Sequence, residues 1–401
     1  LITACTQNAD GITTVTLSGW QSNPAERELI ERVLKEFEAK YPEIKVKFET
    51  INDRYMDVIK TRLIGDAAPD VFYLDSYEAP LLMSHEVLEP LDNYITDEFD
   101  LADFQPFLLK AFKYKGKIYG LPKDFSTLAL FYNRKFFSEV NLSAPPKNWQ
   151  QMREYARRLT SDYNGDGRKE RYGLGITSEL ARHYFLMKAF GGQLINRQGY
   201  ANFATKKNLK GLQYLVKMYQ KDKTVAQPSD VGASSDSEMF GQGKAAMVIE
   251  GPWSIPYLKE TFPKIEFATT EVPTMNRKKG TMSYTAAYVM NQKSKHKEAA
   301  WTLISYLSGK EGMKAWAKGG AVLPSRKSVL AELGYVDNPL YAPFLKGATY
   351  ATIWQAGINL PAIKTHFNNQ FLSALLGEES LKKALQKAQQ AANKEIKAAD
   401  Y

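Results

Sequence analysis

The chain is expected to be an α/β protein, with mostly parallel sheets flanked by helices. Two observations predict this class. Short apolar or alternating segments are interleaved with longer segments whose apolar residues recur at helical spacing. At 401 residues the chain also exceeds what one core ordinarily encloses, so two or three lobes are expected.

The first strand covers residues 13–18, with Val15 and Leu17 on one face. Gly19, Trp20, Gln21 and Ser22 follow as a loop, and Asn23-Pro24-Ala25-Glu26 opens a helix. Asn23 suits the cap, Pro24 the first helical position, and Glu26 completes a capping box. Leu29, Ile30, Val33, Leu34 and Phe37 form the apolar stripe of that helix. Ile44, Val46 and Phe48 alternate as a second strand, residues 55–64 form a second helix ended by Gly65, and residues 71–74 are a third strand. Ligands of such β-α-β-α-β sheets sit outside the carboxyl ends of the strands. Those ends are residues 19–23 and 75–77. Residues 116–122 read as a hairpin-like turn stopped by Pro122, before an apolar strand over 128–133. Helical patterns cover 149–159, 209–219 and 375–392, with breaks at Asn164-Gly165-Asp166-Gly167 and Gly191-Gly192.

Hydrophobic content of 44% and charged content of 24% suit a globular protein, and no run of eighteen apolar residues spans a membrane. The net charge of +9 raises nucleic acid as a partner, but the lysines are dispersed and no zinc-finger or RNP-type string occurs. No nucleic-acid partner is expected. Cys5 is the single cysteine, so no internal disulfide forms. It follows Leu1-Ile2-Thr3-Ala4, which resembles the bacterial lipobox, where the chain is cut before a cysteine that is then acylated. Residues 1–12 are then a lipobox remnant and tether. A buried or stray free thiol is the competing reading.

Six segments, in order, carry a resemblance. They are Phe37-Glu38-Ala39-Lys40-Tyr41-Pro42-Glu43-Ile44-Lys45-Val46, Ala67-Ala68-Pro69-Asp70-Val71, Gly120-Leu121-Pro122 through Tyr132-Asn133, Phe240-Gly241-Gln242-Gly243-Lys244-Ala245-Ala246-Met247, Glu250-Gly251-Pro252-Trp253 and Leu323-Pro324-Ser325-Arg326. Together they resemble the extracellular solute-binding proteins of carbohydrate ABC importers, and are similar to maltose- and trehalose-binding proteins. The resemblance implies a two-lobed periplasmic-binding-protein fold with the ligand cleft between lobes that close by hinge motion. It implies an N-terminal lobe of residues 13–124 plus 284–322 and a C-terminal lobe of 125–283 plus 323–401. The crossings then fall near 124, 280–284 and 323–326. It also implies an exported, lipid-anchored monomer at the periplasm or outer face of the membrane, with permease subunits as partners. The ligand is expected to be a neutral sugar: a disaccharide such as trehalose, sucrose or maltose, a short oligosaccharide, or a glycosylated compatible solute such as glucosylglycerol.

A pyranose has a C–H face and a rim of hydroxyls, so its site needs an aromatic plate and planar polar groups. Trp253, after Glu250 and Gly251, matches the family's stacking tryptophan; a core tryptophan under a turn is the alternative. Asp124 and Ser126 lie at the first crossing, where a carboxylate can accept hydroxyl hydrogen bonds. Asp75, Ser76 and Tyr77 end one parallel strand, and Trp20, Gln21 and Asn23 follow another. Trp20 equally suits lobe packing, and Asn23 suits its helix cap. Arg326 matches an arginine that grips hydroxyls in trehalose-type relatives, with a salt bridge as the alternative. Tyr284 and Trp354 are lesser aromatic candidates.

Asp162, Asn164, Asp166 and Glu170 resemble a calcium loop, although Gly173 stands where an EF-hand needs its bidentate Glu. A polar turn is the competing reading, and no other cofactor is expected. A glycoside hydrolase with paired carboxylates is the alternative function. No nucleophile elbow or His-Glu-x-x-His frame occurs, and Gly241-Gln242-Gly243-Lys244-Ala245 lacks the first glycine and the Ser or Thr of a phosphate loop. A binding protein without chemistry of its own is the leading reading.

Overall fold

The computed structural model describes residues 11–21, 24–167 and 169–399. The lipobox reading at Cys5 and the candidate Asn23 lie outside them. The chain divides into two compact units. The first runs to Phe125 and resumes over Thr285–Leu333; the second is Ser126–Tyr284 together with the chain from Gly334 onward.

The first unit begins with β1 (Thr13–Gly19), α1 (Pro24–Lys40), β2 (Ile44–Thr50), α2 (Tyr55–Ile64) and β3 (Val71–Asp75). Val15, Leu17 and Phe37 are fully buried, as their spacing requires. β1 pairs in parallel with β2 and β3, while β3 pairs antiparallel with residues 286–290 of the strand Met282–Met290. The parallel register, with Leu17 opposite Val71, brings the carboxyl ends of β1 and β3 side by side. Asp70 of the Ala-Pro-Asp segment is a structural tie. Its carboxylate accepts hydrogen bonds from the Thr16 amide (2.8 Å), the Thr16 hydroxyl (2.6 Å) and the Ser294 hydroxyl (2.6 Å).

The proline-stopped turn expected over 116–122 folds differently. The turn is the tight hairpin of Lys113–Tyr114 and Lys117–Ile118, with Lys115 and Gly116 at φ 47° and 84°. Pro122 lies inside the buried strand Gly120–Thr127, and its carbonyl accepts a hydrogen bond from the Ser325 hydroxyl (2.5 Å). The expected closing of this lobe at residue 322 also differs from the division, which keeps residues 323–333 in the first unit. Leu323 and Phe125 exchange backbone hydrogen bonds of 2.9 Å, and Val329 packs in one core with Phe104 and Met313.

In the second unit, Ala129–Asn133 pairs antiparallel with Met247–Glu250 and Phe267–Thr270; Leu174–Gly175 then joins Met247–Glu250 and Val225–Ala226 in parallel. The helix expected over 375–392 is two helices, Leu360–Leu376 and Leu381–Ala399. Gly377, at φ 82°, ends the first, and the Ser380 hydroxyl accepts from the Lys383 amide to start the second. The expected 149–159 helix forms as Trp149–Leu159, capped by Asn148. Among the described residues no helix is long and apolar enough to cross a membrane.

Candidate functional site

Polar and aromatic side chains gather separately in each unit. In the first, Trp20 follows β1 and packs edge-on against Tyr55 (5.0 Å between ring centroids) and Tyr73 (5.3 Å). Gly19 makes this possible, since a Cβ there would meet the Tyr73 ring at 2.5 Å. Gln21 is half-buried, and its amide donates to Asn52 Oδ1 at 3.2 Å. After β3, the Asp75 carboxylate accepts from the Tyr77 amide (3.2 Å) and the Ser76 hydroxyl (3.4 Å). Asp75 and Tyr77 keep some exposure, whereas Ser76 is fully buried with its amide on the Thr285 carbonyl. Burial, and then the charges of Asp75 and Glu78, push the Tyr77 hydroxyl well above its ordinary range.

Asp124 is 7% exposed. Its Oδ2 accepts from the Trp316 indole N–H at 2.8 Å and from the Lys123 ammonium. Lys123 lies 3.9 Å from a Trp316 ring centroid and 5.0 Å from that of Tyr73. Tyr73 thus joins Trp20 to the Lys123–Asp124 pair. The sequence marked Trp20 and Asp124 but not Lys123, Tyr73 or Trp316. Lys123 could have been found as the neighbour of Asp124. Trp316 gives no signal, because it lies in the distant helix Lys310–Ala317.

Arg326 corrects an expectation. It is 1% exposed, and its guanidinium donates to the carbonyls of Ser308 (2.7 Å), Phe99 (2.9 Å) and Asp100 (3.0 Å), with Asp103 at 3.5 Å. It also stacks over Phe104 and Phe99. Its donors are engaged inside the first unit's core, so Arg326 serves the fold rather than a ligand.

In the second unit Trp253 precedes the helix Ser254–Thr261 and is half-buried. A Cβ at Gly251 would meet the Trp253 ring at 2.1 Å, so glycine lets the indole fold back over its own turn. The ring meets Tyr284 edge-on at 6.3 Å, and the Arg182 guanidinium lies 6.0 Å from it. Arg182 comes from the helix Leu180–Ala189 and is bound on several sides: Glu250 at 3.2 Å, the Ile249 carbonyl at 3.3 Å, Glu179 at 3.5 Å and Asp236 at 3.8 Å. Burial disfavours its charge, but Glu250 and Asp236 outweigh that and hold the guanidinium firmly protonated. Glu250 is buried and also accepts from the Gly251 amide at 3.1 Å. Trp354 is 2% exposed and packs in the interior, and Ser126 is buried as well. Arg182 and Asp236 were missed, since no local pattern pairs residues 54 positions apart.

The Gly-Gln-Gly-Lys segment is structural. Lys244 of the Gly-Gln-Gly-Lys segment donates to the Val231 carbonyl at 2.6 Å, and Gly241 leaves room for the Phe262 ring. The carboxylates of Asp162, Asp166 and Glu170 lie within 4.8 Å of one another. The loop engages them itself: the Gly165 and Gly167 amides donate to Asp162 (2.8 and 3.0 Å), the Tyr163 amide to Glu170 (2.6 Å), and Lys169 lies 3.5 Å from Asp162.

Residues 21–314 match the family described as bacterial extracellular solute-binding protein. The chain belongs to that family. A Brucella abortus relative described as a binding protein is 27% identical over 320 residues, 78% of this chain and 76% of that protein. The maltotriose-binding protein of Pyrococcus abyssi is 23% identical over 348 residues, 85% and 73% of the respective chains. An ABC substrate-binding protein from Listeria monocytogenes, solved in complex with cycloalternan, superposes with a TM-score of 0.86 at 23% identity, over 96% of this chain and 99% of that one. The likeness fixes the fold class as the α/β, two-lobed one expected from the sequence. The family is one of extracellular binding proteins rather than enzymes, so this solute-binding protein works outside the cytoplasm.

Proposed function

We propose that this solute-binding protein is the sugar receptor of an ABC importer, taking up a neutral compound of one to three sugar units for membrane permease subunits. Trp253 carries the reading. Its half-buried indole offers an aromatic face, bordered by Tyr284 and by the Arg182 guanidinium. A pyranose stacks its C–H face on such a plate while its hydroxyls bond the planar cation. That cation is already neutralised by Glu250 and Asp236, which suits an uncharged ligand. The first unit supports the same chemistry, with Trp20, Tyr77 and the carboxylates of Asp75 and Asp124. The maltotriose named for one relative places short oligosaccharides among the candidates. Arg326 was the residue that leaned toward a short, trehalose-like ligand. With it engaged in the core, maltose and maltotriose stand beside trehalose, sucrose and glucosylglycerol.

The acid pair that Arg182 brings together does not suit the hydrolase alternative. Asp236 and Glu250, which share Arg182, are 2% and 1% exposed and cannot flank a scissile bond. A thermal-shift panel of these sugars, followed by chromatography of the mixtures, tests the proposal. At least one should raise the melting temperature and be recovered unchanged. Stabilisation by none of them, or any hydrolysis product, would sink it. We further propose that Cys5 carries a lipid tether. Cys5→Ser should then move from the membrane to the soluble fraction with sugar affinity unchanged; retention at the membrane would remove Cys5 from that role.

A further inference from the structure

Beneath the Trp253 surface, Asp236 has a placement that sugar stacking does not explain. It is the first residue of the helix Asp236–Gly241, and the Ser235 hydroxyl caps that helix by accepting from the Glu238 amide. The Asp236 carboxyl is therefore not needed as the cap. It is 2% exposed. Its Oδ2 accepts from the Thr177 hydroxyl at 2.9 Å and lies 3.8 Å from Arg182 Nη1. Its Oδ1 is buried with no hydrogen-bond partner among the described residues. A carboxylate in that setting is costly unless its charge serves a neighbour. The adjacent Ser237 hydroxyl is 2.6 Å from that of Ser254, which ties this helix start to the residue after Trp253.

We propose that Asp236 is a positioning residue for sugar binding: its ionised carboxylate holds the Arg182 guanidinium beside the Trp253 ring. The proposal rests on the sugar-receptor reading above and deepens it. Ionised, Asp236 shares Arg182 Nη1 with Glu250 and the Ile249 carbonyl, and the fork is fixed. Protonated, it loses that charge, and Arg182 is left to Glu250 and to the half-exposed Glu179.

The charged and titratable groups around the pair come from four elements. Arg182 faces Asp236 from the helix Leu180–Ala189, Glu250 from the strand Met247–Glu250, and Thr177 and Glu179 from the segment before that helix; Tyr284 faces Arg182 from the strand Met282–Met290. Burial pushes the Asp236 carboxyl up to about 7, with Arg182 pulling it down and Glu250 adding to the rise. His183, next to Arg182, is held down to about 4 by burial, so its titration lies below the window that matters. If the sugar-bound form requires ionised Asp236, binding releases a proton below about pH 7, and affinity rises with pH toward a plateau.

Isothermal titration of the intact protein with the tightest binder among maltose, maltotriose, trehalose and sucrose, from pH 5.5 to 8.5, reads this directly. Wild-type affinity should rise about thirtyfold across the range, with a slope no steeper than one proton per sugar. Paired titrations at pH 6.5 in buffers of different ionisation enthalpy should register the released proton. Asp236→Asn should give a flat profile near the wild-type value at low pH. A residue that only supports the fold would shift all affinities together and leave the pH profile unchanged. A flat wild-type profile without proton release overturns the proposal, as does an Asn variant that keeps the dependence. If that variant does not fold, the wild-type proton release decides alone. Binding without pH dependence sinks only this inference, whereas binding of none of the sugars sinks the receptor reading and this with it.

Discussion

The two units bury opposite charges in their candidate sites. The first buries an anion, Asp124, anchored by a single cation, Lys123, inside the rings of Trp316 and Tyr73. The second holds a cation, Arg182, anchored by the acids Glu250 and Asp236 beside the ring of Trp253. One of the second unit's anchors responds to protons. Burial pushes the Asp236 carboxyl up to about 7, so its charge changes within the physiological range. The first unit offers a hydroxyl acceptor held by an ammonium and an indole N–H. The second offers donors whose support varies with pH.

The largest expected effect tests whether a buried charge outside either candidate group matters for binding at all. Arg326→Leu strands three carbonyls and Asp103, and should cost roughly 3–5 kcal/mol of stability. Denaturant unfolding would show the loss, while sugar affinity of the folded fraction stays as in wild type. A selective loss of affinity would return Arg326 to the ligand set. Next, Trp253→Ala should weaken sugar binding about a hundredfold with the melting temperature nearly unchanged, as for an aromatic anchor at a binding hot spot. An unchanged affinity would move the site away from the second unit.

Much of the fold was legible because local rules coincide with it. The alternation around Val15 and Leu17, the stripe ending at Phe37 and the breaks at Gly65 and Pro69 each reported a local energy, so the strand and helix order of the first unit could be read. Gly377 and Ser380 carried the same kind of signal, and the helix break between them could have been foreseen. The candidate groups were legible only where one member had a turn or strand end to mark it, as with Trp253, Asp124 and Asp75. Their partners Trp316, Arg182 and Asp236 are ordinary helix residues by local pattern. They acquire meaning only when the sheet and its helices bring together positions tens to hundreds of residues apart. Arg326 shows the converse, since a matching motif position turned out to serve the core.

Two acids of the second unit sharpen the contrast in charge support. Arg153 holds the Asp222 carboxyl down to about 2, with help from Arg157 against the opposing effect of burial. A depressed carboxyl contributes stability that is present above its unfolded value and lost as pH falls through the folded one. Asp222 should therefore cost the protein roughly 2 kcal/mol between about pH 4 and 2, and Asp222→Asn should abolish that part of the acid slope. Asp236 is raised instead. Its contribution is complete below the unfolded value of about 4 and is lost as pH rises to about 7, so Asp236→Asn should flatten the slope between about pH 4 and 7. Urea midpoints of the two variants from pH 2 to 9 would separate these slopes, and identical curves would break the comparison.

The smallest expected effect belongs to Trp316, and it asks whether the first unit's acceptor is fixed by its anchors. Trp316→Phe keeps an aromatic ring near the Lys123 ammonium but removes the N–H that donates to Asp124 Oδ2. A hydrogen bond to a charged group contributes roughly 1.5–3 kcal/mol, and only the share felt in the orientation of the carboxylate reaches the sugar. About a tenfold loss of affinity is therefore expected, equal across pH 5.5–8.5. That pH independence is the discriminating readout. A loss confined to one end of the range would mean that Asp124 depends on a titrating neighbour, as Arg182 does. A full-strength Trp316→Phe variant would mean that Lys123 alone orients the acceptor, and Lys123→Met should then abolish binding while Lys123→Arg largely restores it.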